Sequence, residues 1–296
     1  MNYTTWLRER KIDKRYIDLH SHTTCSDGQL TPQALVELAE QLGISALAIT
    51  DHDVVEGVEA AIKHATNIEI VSGVELSASE GPSDIHILGY FIDPSHEGLQ
   101  AQLAIFRAYR YERARRIVEK LNESGIPLSF EKVLACRHDE QASIGRPHIA
   151  RALIDGGYVE SIHIAFSKYL GNRAPAYVPK SKISVEEAIQ LIQDAGGLAV
   201  MAHPGSTRRD ELIPKFVKAG LAGLEVFHSD HNETERRYYR QLAEKNKMVM
   251  SGGSDFHGIR PNRPGLGSLK IEYRYLDLLK IRLGEIQKTR SVSERL

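Results

Sequence analysis

Histidine and acidic residues stand at or near the ends of the apolar, strand-like segments of this sequence. Two histidines follow the strand-like start of the segment "YIDLHSHTTCSDG", and others follow "ALAIT", "LAVMA" and "KMVMSGG". The residues in such positions are His20, His22, His52, Glu75, His203, Asp255 and His257. A barrel of alternating strands and helices brings the carboxyl ends of its strands to one face. We therefore expect an α/β fold in which these side chains converge.

The spacing of the histidines indicates what this convergence is for. Side chains two residues apart on a strand point to the same face, so His20 and His22 can direct both imidazoles at one ion. Asp255 and His257 repeat the spacing, and His86 lies inside the apolar strand "DIHILGYF", where an unpartnered imidazole is costly to bury. A single HxH motif is frequent by chance. Its recurrence at equivalent strand ends predicts a metal centre.

The alternation of strands and helices divides the chain into parts. Residues 14–97 and 182–275 alternate between the two patterns, whereas residues 98–181 show helical patterns without intervening apolar strands. We expect a discontinuous barrel domain from the first two ranges, an inserted helical cap domain from the third, and a polar tail over 285–296.

Three helix starts within the barrel halves are predicted from capping patterns. A Thr-Pro pair is typical of an N-cap followed by proline at the first helical position. A Ser or Asp followed by Glu three residues later is typical of a capping box. The predicted starts are Thr31 with Pro32, Asp53 with Glu56, and Ser184 with Glu187.

Composition excludes several classes of protein. The 296 residues are 42% hydrophobic, enough for a substantial core, and 38 basic against 39 acidic residues argue against a general polyanion-binding domain. The only cysteines, Cys25 and Cys136, are too far apart for a zinc ribbon or a disulfide framework. No apolar run approaches the roughly 18 residues that span a bilayer, and the first residues are too charged for a secretory signal. We expect a cytoplasmic protein with no membrane contact and no obligate protein partner.

The segments "DLHSHTTCSDG", "TDHD", "GVE", "IHILGY", "AHPG" and "GGSDFHG", in this order, resemble the polymerase and histidinol phosphatase (PHP) superfamily. Within it, the chain is similar to stand-alone phosphoesterases that act on nucleoside 3′,5′-bisphosphates, relatives of which trim RNA from its 5′ end. The resemblance implies a distorted (β/α)7 TIM-like barrel, a helical cap over the site, and three divalent metal ions. Mixed His and carboxylate ligands accept Mn²⁺, Fe²⁺ or Zn²⁺.

The resemblance also implies how the ligands are shared among the three ions. The first ion is assigned His20, His22, Glu75 and Asp255. The second is assigned Glu75, which bridges, with His86 and His203. The third is assigned Asp27, His52 and His257. Asp51 and Asp53 match the family segment "TDHD" without being ligands, and helix capping is the favoured interpretation of Asp53.

The predicted cap carries "ASIGRPHIARAL", "FSKYLG" and "PAYVPK", which resemble the nucleotide-bisphosphate branch. The resemblance implies that substrate phosphates are contacted by Arg146, Lys168, Lys180 and Ser143. Arginine offers a planar fork to two phosphate oxygens, whereas lysine supplies a compact charge. His148 is either a substrate contact or a helix-stabilising residue. The arginine-rich "RAYRYERARR" is either an RNA-steering surface or an exposed helix face.

The expected reaction is hydrolysis of the 3′-phosphate of a nucleoside 3′,5′-bisphosphate, for example adenosine 3′,5′-bisphosphate to AMP, by attack of a metal-bridging hydroxide. His231, after the strand "LAGLEVF", is the candidate catalytic residue at the leaving group, with His228 nearby. One alternative is a 5′-3′ exoribonuclease that uses the same centre on short 5′-phosphorylated RNA. An alternative of another class is a catalytically silent, metal-stabilised PHP module. The expected partners are a small nucleotide substrate or short RNA.

Overall fold

The protein is built on one mixed β-sheet that curls into a nearly closed barrel. The structure is a computed structural model that describes residues 3–9, 13–137, 142–179, 183–259 and 264–293. The strands are β1 (Tyr16–Asp18), β2 (Ile44–Ile49), β3 (Glu69–Glu80), β4 (Ser83–Tyr90), β5 (Ile183–Ser184), β6 (Leu198–Met201), β7 (Gly223–His228), β8 (Val249–Gly253) and β9 (Ile271–Glu272).

Helices surround the sheet and form the segment between β4 and β5. They are α1 (Tyr3–Glu9), α2 (Pro32–Gln41), α3 (Glu56–His64), α4 (Glu97–Glu123), α5 (Phe130–Leu134), α6 (Arg146–Asp155), α7 (Ile162–Ala165), α8 (Val185–Asp194), α9 (Pro204–Thr207), α10 (Ile213–Lys218), α11 (Glu233–Lys245) and α12 (Arg274–Ser293). A π-helical turn covers Phe166–Leu170 and a 3₁₀ turn covers Asp210–Leu212. None of the helices in the described ranges is long and apolar enough to cross a membrane.

The strands follow the order β8-β7-β6-β4-β3-β2-β1-β9, with β5 paired to β3. Most neighbours are parallel, but β4 is antiparallel to both β3 and β6, and the short edge strand β9 is antiparallel to β1. Only two residues, Gly81 and Pro82, join β3 to β4, and so short a connection permits only an antiparallel hairpin. Beyond β1 and β8 the sheet closes, because Leu19 N–H donates to the Gly252 carbonyl (3.1 Å). The predicted α/β barrel is confirmed, with β4 reversed.

Two of the predicted helix starts are confirmed. Thr31 Oγ1 accepts the Ala34 N–H (3.2 Å) at the start of α2. Ser184 and Glu187 form the reciprocal capping box of α8, in which Ser184 Oγ accepts the Glu187 N–H (3.1 Å) and Glu187 Oε2 accepts the Ser184 N–H (2.7 Å). The third prediction is wrong, because Asp53 does not cap α3; its side chain is engaged inside the barrel, as described below.

Two separate clusters of buried apolar side chains stabilise the molecule, one in the barrel and one in the helical segment after it. The long helix α4 contributes to both. Its first half, with Leu99 and Phe106, packs on the barrel, and its second half, with Ile117 and Leu121, packs in the other cluster. The division of the chain at residue 98 stays a prediction, since one continuous helix runs through both clusters.

The last residues that the structure describes are helical. Residues 285–293 continue α12 as regular helix. Arg290 Nη1 donates to the Gln193 carbonyl (2.6 Å), which attaches this part of the helix to the end of α8. Residues 294–296 lie outside the described residues, and the polar tail over 285–296 stays a prediction.

Candidate metal centre

The barrel fold brings all of the predicted metal-binding side chains to one mouth. They come from the residues that follow β1, β2, β6 and β8, from β3 and β4 themselves, and from the loop after β1. The side chains assembled there are His20, His22, Asp27, His52, Glu75, His86, His203, Asp255 and His257. Their assignment to individual ions stays a prediction.

The first group of candidate ligands lies at the closure of the barrel. His20, His22, Glu75 and Asp255 present one ligand atom each within 4.8 Å of one another. Glu75 Oε2 lies 3.3 Å from Nε2 of both imidazoles. Asp255 Oδ1 lies 3.4 Å from His20 Nε2 and 3.1 Å from His22 Nε2. Two nitrogens and two carboxylate oxygens therefore face one small space.

Glu75 also faces a second group through its other oxygen. Its Oε1 lies 2.7 Å from His86 Nδ1 and 3.0 Å from His203 Nε2. Its Oε2 is in addition 2.9 Å from His52 Nδ1. Because both oxygens of one buried carboxylate contact different imidazoles, the geometry is compatible with the bridging role that the resemblance implies.

The third group adds the loop aspartate. His257 Nε2 lies 3.2 Å from Asp27 Oδ1, and the His22 and His257 rings stack with centroids 4.0 Å apart. His22, Asp27, His52 and His257 together offer ligand atoms within 4.8 Å. His22 thus belongs to two groups, with one ring nitrogen available to each.

The hydrogen bonding of these side chains tests whether metal ions fit. In the described part of the chain, several buried polar atoms make no hydrogen bond of acceptable geometry, although buried polar groups usually have partners. They include His20 Nε2, both nitrogens of His22, Asp27 Oδ1, Glu75 Oε2 and His203 Nδ1. Such imidazole and carboxylate atoms are the usual ligands of divalent transition metals. The donor set therefore fits a group of divalent ions.

Electrostatics hold two of these side chains in the form that coordinates metal. Burial, together with repulsion from His257 and His52, lowers the pKa of His22 to about 3, so its ring is neutral at physiological pH. Burial alone raises the pKa of the Glu75 carboxyl, but the imidazoles of His52 and His86 outweigh it and hold that pKa well below its usual range. A neutral imidazole and an ionised carboxylate are the forms that bind metal.

Asp51 fixes the loop that carries Asp27. Its buried carboxylate accepts the Thr23 N–H (2.7 Å), the Thr23 hydroxyl (2.6 Å) and the Ser26 hydroxyl (2.5 Å). The loop is further tightened by the Gly28 N–H, which donates to the Thr23 carbonyl (2.9 Å). Asp51 is thus a supporting residue, in agreement with its omission from the predicted ligands.

Asp53 links the barrel to α4, which corrects its interpretation as a helix cap. Its backbone has φ of 54°, a conformation that Asp tolerates better than most residues. Oδ1 accepts the Ser77 N–H (2.7 Å), and Oδ2 accepts from Arg110 Nε (2.8 Å). Asp53 N–H in turn donates to the Glu75 carbonyl (3.0 Å). Asp53 therefore connects β3, the strand that carries Glu75, to Arg110 of α4.

The arginine-rich stretch of α4 is neither a free RNA-steering surface nor simply an exposed helix face. Arg110 is buried against Asp53, and Arg107 pairs with Glu56. Arg113 Nε donates to the Val178 carbonyl (2.8 Å). The remaining members, Arg115 and Arg116, pair with acidic residues of the same helix. Two of the five arginines therefore face inward, and the other three are paired with acidic residues.

The predicted substrate-binding residues have different surroundings. Arg146 Nη1 donates to the Leu170 carbonyl and to Asn172 Oδ1 (both 3.0 Å), while Lys168 is exposed in the π-helical turn. Ser143 is buried, and its N–H donates to the Cys25 carbonyl (3.0 Å) in the loop that carries Asp27. Lys180 lies outside the described residues.

His148 and His231 both have structural roles. His148 Nδ1 accepts the Gly145 N–H (3.1 Å) at the start of α6, which favours the helix-stabilising interpretation. His231 Nε2 accepts the Gly205 N–H (3.1 Å), and its Nδ1 donates to the Val226 carbonyl (3.0 Å). Both ring nitrogens of His231 are thus bound to backbone groups, and its catalytic role at the leaving group stays a prediction.

Glu225 is the functional residue that sequence reasoning missed. It is fully buried in β7; Oε1 lies 2.9 Å from His20 Nδ1, and Oε2 accepts the His203 N–H (2.8 Å). A carboxylate inside the apolar strand "LAGLEVF" is as costly to bury as the imidazole of His86 inside its strand. A polar residue inside an apolar strand, the pattern that predicted a role for His86, is therefore also present at Glu225.

Comparison with known proteins agrees with this site. The family model described as "PHP domain" matches residues 18–194, more than half of the chain. The chain therefore belongs to the PHP family of metal-dependent phosphoesterases. It is similar to a 3′,5′-nucleoside bisphosphate phosphatase of Chromobacterium violaceum, with 38% identity over 86% of this chain and 90% of the relative.

Two further similarities extend over most of the chain. The 5′-3′ exoribonuclease Rnm of Escherichia coli is 37% identical over 81% of this chain and 84% of its own length. A solved structure of a candidate metal-dependent phosphoesterase from Bifidobacterium adolescentis superposes with a TM-score of 0.85 at 33% identity, covering 92% of this chain and 98% of that one. Barrel and helical segment are thus both shared.

Proposed function

We propose that this protein hydrolyses the 3′-phosphate of nucleoside 3′,5′-bisphosphates at a centre of three divalent ions. The observation that carries the proposal is the convergence of imidazoles and carboxylates at one barrel mouth, with buried ligand atoms that lack hydrogen bonds within the described part of the chain. The similarity to a bisphosphate phosphatase supports the substrate class.

The three groups of side chains described above are the proposed ion sites. Bound divalent ions lower the pKa of water and neutralise the charge on phosphate oxygens. The protein's part is to hold the ligand atoms in place before substrate arrives. Glu75 joins the groups, Asp51 fixes the loop of Asp27, and the neutral ring of His22 serves two groups.

Arginines beside the centre supply the proposed phosphate grip. Burial, with repulsion from Arg146 and Arg110, lowers the pKa of Arg113 to about 10. Asp84 attracts both Arg113 and Arg146, and its Oδ1 lies 3.6 Å from His86 Nε2. The cationic cluster therefore adjoins the second group of ligands, where it can bind the phosphate that is not cleaved.

The proposal is tested by Asp255→Asn in the full-length chain. We expect release of inorganic phosphate from adenosine 3′,5′-bisphosphate to fall by about 10³-fold or more, about 4 kcal/mol of lost transition-state stabilisation. Circular dichroism checks that the variant folds. Asp194→Asn, an exposed aspartate on α8, is the matched control and should keep full activity. Unchanged turnover in metal-replete Asp255→Asn would reject the assignment.

Exoribonuclease activity is the second candidate, favoured by the similarity to the E. coli enzyme. The two reactions use the same ions but differ in the product: inorganic phosphate from a bisphosphate, or a nucleotide from RNA. A 5′-phosphorylated oligoribonucleotide with labelled ends, incubated beside the bisphosphate, distinguishes them. Metal-dependent stability without cleavage of either substrate would instead support the silent module.

A further inference from the structure

Strand β7 supplies none of the predicted ligands, yet it places two polar side chains against the centre. Glu225 is fully buried and His228 is 1% exposed. Residues three apart on a regular strand point to opposite faces. Here the pairing with β8 shifts register between Glu225 and Phe227, and such a bulge turns the following residue back toward the same side. Both side chains therefore face the barrel mouth.

Glu225 contacts two of the ligand positions. The His20 Nδ1–H donates to its Oε1 (2.9 Å), so the Nε2 lone pair of His20 is directed toward Glu75 and Asp255. The other oxygen, Oε2, accepts the backbone N–H of His203 (2.8 Å), whose φ of 28° is unusual for a residue with a side chain. One carboxylate thus selects the tautomer of one imidazole and the backbone position of another.

The proton of His228 is placed by the backbone. Asp230 N–H donates to His228 Nδ1 (3.1 Å), so the neutral ring carries its hydrogen on Nε2. That Nε2 lies 3.5 Å from Asp255 Oδ2, the oxygen opposite to the one that faces His20 and His22. His228 Nε2 makes no hydrogen bond in the described part of the chain, so at this distance its N–H faces the Asp255 carboxylate as an electrostatic contact. A ring nitrogen that carries hydrogen does not ligate an ion, although His228 groups with His20 and Glu225.

We infer that Glu225 and His228 are positioning residues that hold His20, His203 and Asp255 in ligating orientation from outside the metal centre. The inference rests on the proposed function and adds the layer that orients its ligands. Outer residues of this kind change metal affinity or activity by about 10- to 100-fold when they are replaced.

The two residues can be tested with variants that separate their contacts. Glu225→Gln leaves one donor, either the His20 ring or the His203 backbone, facing an amide NH₂ group. His228→Asn keeps an acceptor for the Asp230 N–H but does not reach Asp255. His228→Gln places an amide N–H near the position of the original Nε2. Exposed residues provide the matched controls Glu233→Gln and His64→Asn.

Metal-stripped full-length protein is titrated with Co²⁺, and affinity, ion stoichiometry and the visible spectrum of the bound cobalt are recorded. We expect Glu225→Gln and His228→Asn to bind the same number of ions about 10- to 100-fold more weakly, with an altered spectrum. His228→Gln should recover much of the affinity, and the controls should match wild type. Melting temperatures of the metal-stripped proteins identify variants that fail to fold.

Three results would overturn the inference. Wild-type affinity and spectrum in both Glu225→Gln and His228→Asn would show that the contacts do not position the ligands. Loss of one whole equivalent of ion would make the replaced residue a direct ligand. Failure of the wild-type protein to bind Co²⁺ would reject the proposed metal centre as well, so the two failures are distinguishable.

Discussion

The barrel mouth and the helical segment above it contribute groups of opposite character to the same site. In the mouth, the imidazoles and carboxylates are buried or half-buried, and several of their atoms make no hydrogen bond within the described residues. In the helical segment, the guanidinium groups of Arg110, Arg113 and Arg146 are bound to carbonyls or to an aspartate. The mouth thus presents ligand atoms suited to cations, whereas the helical segment presents the guanidinium groups that the proposed function assigns to a phosphate.

This difference separates chemistry from recognition. Groups that need ions to complete their contacts act on any phosphoester that reaches them. In the proposed function, the arginines act only on substrates with a second phosphate to bind. Substitutions in the mouth should therefore impair every substrate, and substitutions among the arginines should impair only nucleotides that carry two phosphates.

The largest effect is expected for Glu75→Gln. Both oxygens of Glu75 contact imidazoles of different groups, and an amide cannot present two anionic oxygens. We expect turnover of both adenosine 3′,5′-bisphosphate and p-nitrophenyl phosphate to fall by at least about 10³-fold, or about 4 kcal/mol. Phosphate or nitrophenol release, with elemental analysis of bound metal, measures the loss. Glu80→Gln, farther along β3, is the control. Retention of activity toward either substrate would contradict the expectation that substitutions in the mouth impair every substrate.

The next effect is expected for Arg146→Lys. Lysine keeps the charge but cannot both contact the Leu170 carbonyl and Asn172 and present a planar fork. A hydrogen bond to a charged group contributes about 1.5–3 kcal/mol, so kcat/KM for the bisphosphate should fall by about 10- to 100-fold. Turnover of p-nitrophenyl phosphate should stay the same. Arg151→Lys, exposed on the same helix, controls for the exchange itself. Equal losses on both substrates would place Arg146 in the chemistry.

A smaller effect is expected at the link between the two regions. Asp53→Asn keeps the contact with the Ser77 N–H but weakens the buried ion pair with Arg110. We expect KM for the bisphosphate to rise by about tenfold, with kcat for p-nitrophenyl phosphate nearly unchanged. Glu56→Gln, which weakens the more exposed pair with Arg107, is the matched control. An equal loss of kcat on both substrates would show that Asp53 supports the ions rather than the arginines.

The metal-binding mouth could be predicted from sequence because its positions follow from strand ends. His20 with His22, and Asp255 with His257, each show a spacing of two residues at the end of an apolar segment. The barrel then brings these strand ends to one face. Glu225 does not follow from this rule, because it lies inside the apolar strand β7 and not at its end.

The helical segment could not be predicted to the same depth. Whether Arg110 lies inside or outside depends on Asp53, a contact between residues 57 positions apart that no local pattern records. The contacts of His231 are also not evident from sequence. Its position after a strand does not reveal that the Gly205 N–H and the Val226 carbonyl bind its two ring nitrogens. Residues at the ends of strands can be recognised from the local sequence. Hydrogen bonds between a side chain and a distant part of the backbone cannot.

The last expected effect is a pH dependence confined to the mouth. Burial disfavours the charged ring of His257, but the carboxylates of Asp27 and Asp255 outweigh it and raise the pKa of His257 to about 9 in the metal-free protein. At pH 7 the ring is therefore protonated, and it must lose that proton to ligate an ion. Apparent affinity of the third ion should rise by about tenfold per pH unit from pH 7 and level off near pH 9. His22, whose pKa is about 3, adds no such dependence.

Calorimetric titration of metal-stripped protein with Mn²⁺ in two buffers of different ionisation enthalpy measures the released proton. We expect about one proton from this site at pH 7 and none from it in His257→Gln. Arg146→Lys should release as many protons as wild type, because its guanidinium lies outside the ligand groups. Proton release that depended on Arg146 would mean that the mouth and the arginines titrate together. Affinity that did not change between pH 7 and 9 would contradict the role of His257 in ion binding. Either result would contradict the proposed division between ion binding and phosphate recognition.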